Sequence, residues 1–239
     1  MDAAAQVERI SAWIRERAQE AGVQGLVLGL SGGVDSAVVA GLAVRAMPGR
    51  VHTFILPCHS QPEDARLARA VAEAFGLEPE TIVLDEAYDF LRRVFGAGGA
   101  PQPGNLADAN LKSRLRMVAL YYQANLRNCL VLGTGNRSEI AVGYFTKWGD
   151  GAVDLLPIAG LVKREVYELA RYLGVPQAVI ERPPTGGLWP GQTDEGEMGL
   201  SYAEIDEYLL TGNVPPATAA KIQRRIAANE HKRRMPPSP

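Results

Sequence analysis

Residues 25–47, GLVLGLSGGVDSAVVAGLAVRAM, constrain the fold more tightly than any other stretch. Apolar residues and glycine fill 25–30, the length of a buried strand. Gly32 and Gly33 then punctuate the chain, and an apolar segment too long for a strand runs on to Pro48. A strand that passes through a tight turn straight into a helix is half of a crossover, and a strand apolar on both faces needs cover on both. The same alternation recurs. VHTFILP at 51–57, TIVLD at 81–85 and CLVLGT at 129–134 predict further strands. Helical spacing predicts helices over 3–21 (Val7, Ile10, Ile14 and Ala18 on one face, Gly22 as the stop), 62–75, 88–95 and 109–126. These units, joined by right-handed crossovers, predict an α/β fold: a doubly wound parallel sheet of about five strands with helices on both faces.

Two segments fit neither period: GAGGAPQPG at 96–104 and PPTGGLWPGQTDEGEMG at 183–199. Long irregular loops in compact folds often cover sites, and a surface connection is the alternative. With 239 residues, 46% of them hydrophobic and 22% charged, the chain is expected to bury one core as a single domain over 1–239, with 234–239 as a disordered tail. A formal net charge of −2 supplies no general attraction to nucleic acid or to an anionic membrane. Charges at Asp2, Glu8, Arg9, Arg15, Glu16 and Arg17 break up the N-terminal segment, which therefore reads neither as a signal peptide nor as a membrane span, and a cytoplasmic location is expected. Cys58 and Cys129 lie far apart with no CxxC pair, which gives little support for a disulfide or a structural metal.

The turn Gly29, Leu30, Ser31, Gly32, Gly33, Val34, Asp35, Ser36 sits where a parallel strand ends and a helix begins, the place where doubly wound sheets bind ligands. Two glycines let the backbone approach an anion, and the first N–H groups of the helix with the Ser31 and Ser36 hydroxyls can cradle phosphate oxygens. The lysine of a Walker A loop is missing. Asp35 among phosphates would repel them unless a divalent cation lay between, so magnesium is implied. A lone glycine pair beside an acid would read more simply as a tight turn and a favourable charge at a helix start.

The whole SGGVDS string resembles the signature of the PP-loop, or N-type, ATP pyrophosphatases, a superfamily of Rossmann-like, adenine nucleotide alpha hydrolase-like folds that cleave ATP between its α and β phosphates. Four further stretches, NLKSRLRM (110–117), GTGNRSEIAVGYFTKWGDGAVDLLPIAGLVKREV (133–166), PPTGGLWPGQTDEGEMGLSYAEIDEYL (183–209) and EHKR (230–233), resemble the ammonia-dependent NAD synthetases, in order and over most of the chain. The resemblance implies that Asp35 and Glu139 ligate magnesium, that Lys163 is catalytic, and that residues 29–36, Thr134, Lys163 and Thr185 bind ATP. It assigns Arg114, Lys147, Asp154, His231 and Lys232 to deamido-NAD, the nicotinic acid dinucleotide, across the interface of a homodimer. Read without it, Glu139 and Lys163 are ordinary helix-start residues, Tyr144 and Phe145 packing residues, and the HKRR run a solvated basic segment.

The implied reaction is ATP-dependent amidation of deamido-NAD by ammonia, through an adenylated intermediate, to NAD, AMP and pyrophosphate. A glutamine-hydrolysing domain would need far more chain than this, so free ammonia or a separate partner is the expected nitrogen source. The rivals are another PP-loop enzyme, such as the ATPase subunit of a GMP synthetase or a tRNA thiolase, and a non-catalytic ATP-binding sensor.

Overall fold

The computed structural model describes residues 1–99, 101–189 and 191–238. The chain enters through α1 (Ala3–Glu20), whose first turn is capped by the Asp2 carboxylate accepting from Ala5 N at 3.1 Å. Strand β1 (Gly25–Gly29) leads into α2 (Val34–Ala46), and β2 (Val51–Ile55) into α3 (Pro62–Ala74). Then come β3 (Glu80–Thr81), α4 (Asp85–Val94), α5 (Leu106–Arg127) and β4 (Cys129–Val131). Beyond them the described residues form α6 (Arg137–Val142), α7 (Lys163–Leu173), α8 (Gln177–Ile180), α9 (Asp194–Met198), α10 (Tyr202–Thr211), α11 (Pro216–Ala228) and a 3₁₀ turn, Glu230–Lys232.

Strands β1 to β4 are parallel, in the order β3-β2-β1-β4. Side chains alternate across them. Leu26, Leu28 and Ile55 face one core, built with α1, α2, α3, α7 and α8; Val27, Phe54 and Val131 face a second, built with α4 and α5. Helices thus cover both faces, as the doubly wound reading expects. A third apolar cluster, with Val142, Met198, Tyr202, Ile205 and Ile222 at its centre, joins α6, α9, α10 and α11.

The expected fifth strand is reduced to one parallel bridge, Leu132 to Leu155, beyond β4. Of TIVLD only Thr81, with Glu80 before it, pairs as a strand. Ile82 N and Leu84 N still donate to Ile55 O and Pro57 O, at 3.0 and 2.8 Å, but Pro57 has no N–H to return, and Asp85 already opens α4. Helix α5 starts earlier than its apolar spacing suggests because Asn105 caps it, accepting from Ala107 N and Asp108 N at 2.9 and 3.3 Å. Of the two irregular segments, 183–199 contains α9, capped by Thr193; Ala100 and Pro190 lie outside the described residues, as does Pro239 of the tail.

Candidate active site

Strands β1, β2 and β3 wind outward in one direction from β1, while β4 lies on its other side, so the winding reverses between β1 and β4. Their C-terminal ends open a crevice at that switch point. The turns after β1 and β4 form its rims, and a cavity of about 770 Å³ occupies it.

The first rim is the glycine turn. Ser31 Oγ and Ser36 Oγ stand 3.0 Å apart, Gly33 N donates to Ser31 Oγ at 3.2 Å, and Ser36 Oγ donates to Gly33 O at 2.9 Å. Gly33 is the N-cap of α2 and brings no side chain to the helix's first N–H groups, which stay open to an incoming anion. Gly32 has φ +78°, and a Cβ there would lie 2.5 Å from Asp64 O on α3, so glycine is required for conformation and for space. Gly29, Leu30, Ser31, Gly33, Val34, Asp35 and Ser36 all line the cavity, while Gly32 faces α3.

Asp35 meets the second rim across 101 residues of sequence. Asn136 Nδ2 donates to Asp35 Oδ1 at 2.9 Å, and Lys163 Nζ donates to Asp35 Oδ2 at 2.5 Å and to Glu139 Oε1 at 3.2 Å. Glu139 is held in a capping box with Asn136 at the start of α6. Tyr202 OH lies 3.0 Å from Glu139 Oε1 and 2.9 Å from Asp194 Oδ2; with one proton, it donates to one of them at a time. Two carboxylates therefore share one ammonium, and a third, Asp194, stands behind Tyr202. Burial pushes the Glu139 carboxyl up to about 7, against the pull of Lys163 and helped by Asp35. Burial also raises Asp194. For Lys163 burial acts downward, but the Asp35 and Glu139 carboxylates outweigh it and hold the ammonium above its ordinary range.

Lys163 and its helix are held from behind by a residue the sequence pattern conceals. Asp206 on α10 is 2% exposed and accepts from Lys163 N at 3.2 Å, Arg164 N at 2.8 Å and Ser138 Oγ at 2.5 Å. Val162 precedes α7 without a side chain able to cap it, and Asp206 does so from another helix. The available signal is an acid beside Tyr202, Ile205 and Leu209 on the apolar side of α10. Nor does the sequence pattern distinguish Asp194 and Tyr202 from their neighbours, although both fall inside 183–209.

Thr134, Glu139, Lys163, Thr185 and Lys232 line the same cavity. Lys232 Nζ donates to Gly143 O and Phe145 O, at 2.7 and 2.8 Å. Arg114, Lys147 and His231 form a separate outer chain: Arg114 Nη2 donates to Lys147 O at 3.2 Å, and Lys147 Nζ to His231 O at 2.7 Å. Asp154 stands apart from both groups. Its carboxylate accepts from Val131 N at 2.7 Å and Tyr121 OH at 3.0 Å, tying it to the sheet edge and to α5.

Asp35 and Glu139, which both pair with Lys163 Nζ, bring hard carboxylate oxygens together beside the phosphate turn, a donor type that suits magnesium. Among the described residues no group of three or more His, Cys, Asp or Glu is arranged around a metal, so the remaining ligands would come from triphosphate and water.

Sheet order, crevice and charged cavity together describe an α/β enzyme of Rossmann-like fold. Within that class the chain belongs to the NAD synthase family, whose model matches residues 6–236. It is 50% identical to an NH(3)-dependent NAD(+) synthetase of Syntrophomonas wolfei over 239 residues, covering 99% of this chain and 96% of the relative. Among solved structures it resembles an NMN synthetase from Francisella tularensis (TM-score 0.94, 36% identity, 100% of this chain and 99% of the other). It also resembles an NH3-dependent NAD synthetase from Campylobacter jejuni (TM-score 0.82, 31% identity, the same coverage). These relatives do not favour the GMP synthetase or sensor readings.

Proposed function

We propose that the chain amidates deamido-NAD with ammonia, consuming ATP and releasing NAD, AMP and pyrophosphate. The meeting of Asp35 and Glu139 at Lys163 Nζ, beside a turn built for phosphate, carries the reading. Asp35 and Glu139 would hold magnesium, which would supply charge neutralisation for the triphosphate and the departing pyrophosphate. The nicotinate carboxylate oxygen attacks the α-phosphorus, and the bond to the bridging oxygen breaks as pyrophosphate leaves with the electron pair. The open N–H groups after Gly33, with Ser31 and Ser36, receive the growing charge on that leaving group. Lys163 contacts the phosphates, and Thr134 and Thr185 line the nucleotide's path. Ammonia then attacks the acyl carbon, AMP leaves with the carbon–oxygen pair, and the nitrogen gives up its extra proton. Residues 183–188, which line the cavity, keep out water, which would hydrolyse the anhydride.

Arg114, Lys147, Asp154, His231 and Lys232 hold the dinucleotide, and a second copy of the chain completes that site. Support for this comes from α5, where Arg114 shares one helical stripe with exposed Val118, Tyr122 and Leu126, so a subunit covering the apolar residues also covers the arginine. Among the described residues no helix is long and apolar enough to cross a membrane, and the expected setting is the cytoplasm.

The near-complete overlay on the Francisella NMN synthetase favours one second reading, in which nicotinate mononucleotide replaces the dinucleotide. Purified protein given ATP, magnesium and ammonium, with either acid, separates the two by kcat/KM. One AMP and one pyrophosphate per amide are expected, with deamido-NAD preferred and Asp35→Asn inactive but folded. ADP as product would sink the adenylation step, and a preference for the mononucleotide would sink the choice of acid.

A further inference from the structure

Helix α6 carries Asn136 at its cap and Glu139 in its first turn, yet it spans only 6 residues, far short of the length at which a helix holds itself in water. Its C-terminal end turns at Gly143, with φ +70°, where Gly143 N donates back to Ile140 O at 3.2 Å and the helix supplies no donor for the Ala141 and Val142 carbonyls.

Those carbonyls are met by a segment about ninety residues away in sequence. Arg233 Nη1 donates to Ile140 O at 3.2 Å and Ala141 O at 2.8 Å, Asn229 Nδ2 donates to Val142 O at 3.1 Å, and Lys232 Nζ donates to Gly143 O. Arg233 Nη2 returns to Ile226 O on α11 at 2.7 Å, so one guanidinium locks the end of α6 to the end of α11. Steric fit reinforces the junction, because a Cβ on Gly143 would overlap Asn229 Cβ. Arginine suits this position: its planar fork reaches several carbonyls at once from a charge that does not titrate.

We propose that Asn229 and Arg233 are positioning residues for the amidation. They clasp α6 at its open end and so hold Glu139 facing Asp35 and Lys163. Arg233 is not among the residues lining the cavity and acts through the helix, while Asn229 holds the helix from the cavity wall. The clasp matters to turnover only if Glu139 belongs to the magnesium–ATP end of the site, as the proposed function has it. With α6 so short, loosening its last turn changes the reach of a side chain in its first.

Arg233→Gln, Arg233→Lys and Asn229→Ala test the clasp in the full chain. Amide hydrogen exchange across 137–143 should accelerate about tenfold in Arg233→Gln, the effect of losing one net hydrogen bond to a charged donor. The magnesium concentration for half-maximal turnover should rise several-fold while kcat at saturation and the melting temperature stay close to those of the unaltered protein. Arg233→Lys, which keeps the charge and one donor direction, should fall between. Unchanged exchange and unchanged magnesium dependence overturn the proposal. So does a joint fall of kcat and melting temperature at constant half-saturation, the mark of a purely structural role. If Arg233→Gln does not fold, the same criteria apply to Arg233→Lys and Asn229→Ala. Glu139→Gln separates the two layers: unaltered magnesium dependence in that variant would refute the reading of Glu139, while the exchange data would still decide whether the clasp exists.

Discussion

Gly32 and Gly33 are adjacent, chemically identical and predicted to behave differently. Gly33 has φ −94° and ψ 159°, ordinary extended backbone, and an added Cβ would meet only Ser31 Oγ at 3.3 Å. Gly32 is left-handed and pressed against Asp64 O. Gly32→Ala should therefore lose about 2 kcal/mol of unfolding free energy from strain and displaced backbone, and Gly33→Ala less than half as much. Denaturant unfolding of the two variants measures this, and equal losses would contradict the geometry. At this scale the sequence is informative where chemistry is local. Asp35 is conspicuous because an acid inside a phosphate turn needs a cation, whereas Asp206 looks like any acid on an amphipathic helix until three donors from α6 and α7 are seen converging on it.

That convergence makes Asp206 a statement about elements. Three helices, α6, α7 and α10, are registered against one another by a single buried carboxylate. Asp206→Ala leaves its donors unmet and should cost about 3 kcal/mol, whereas Glu207→Ala, which loses a pair with Arg164 at 3.7 Å on the surface, should cost under about 1 kcal/mol. Thermal and denaturant melts compare the two, and similar costs would show that Asp206 does not join the helices as described. Strand and helix existence follows from periodicity, since alternation and apolar spacing are properties of the chain alone. Boundaries do not: Asn105 lengthens α5, Pro57 truncates the pairing of β3, and Thr193 nucleates α9 inside a stretch whose glycines suggest only loop. Caps and missing donors of this kind act through single atoms, which a hydrophobic pattern does not register. Lys232 illustrates the same limit within the site, because its basic run signals charge and gives no sign that the ammonium is engaged by two backbone carbonyls.

For the whole molecule, exposed apolar side chains are concentrated on the outer helices of one face. Phe90, Val94 and Phe95 lie on or just beyond α4, and Val118, Tyr122 and Leu126 on α5. A surface of that kind calls for a partner. Tyr122→Glu should convert a dimer to monomers in sedimentation velocity and raise KM for deamido-NAD while ATP-dependent thermal stabilisation persists; a dimer that survives both Tyr122→Glu and Val118→Glu would place the interface elsewhere. The clasp on α6 also bears on how the molecule is made. The four strands and the phosphate turn precede residue 132, but α7 and α8, which cover one face of the sheet, come after it, and the carbonyls at the end of α6 wait for Asn229 and Arg233. During translation a nascent chain therefore holds all four strands before one face of the sheet is covered, and lacks a registered Glu139 until a far later stretch has left the ribosome.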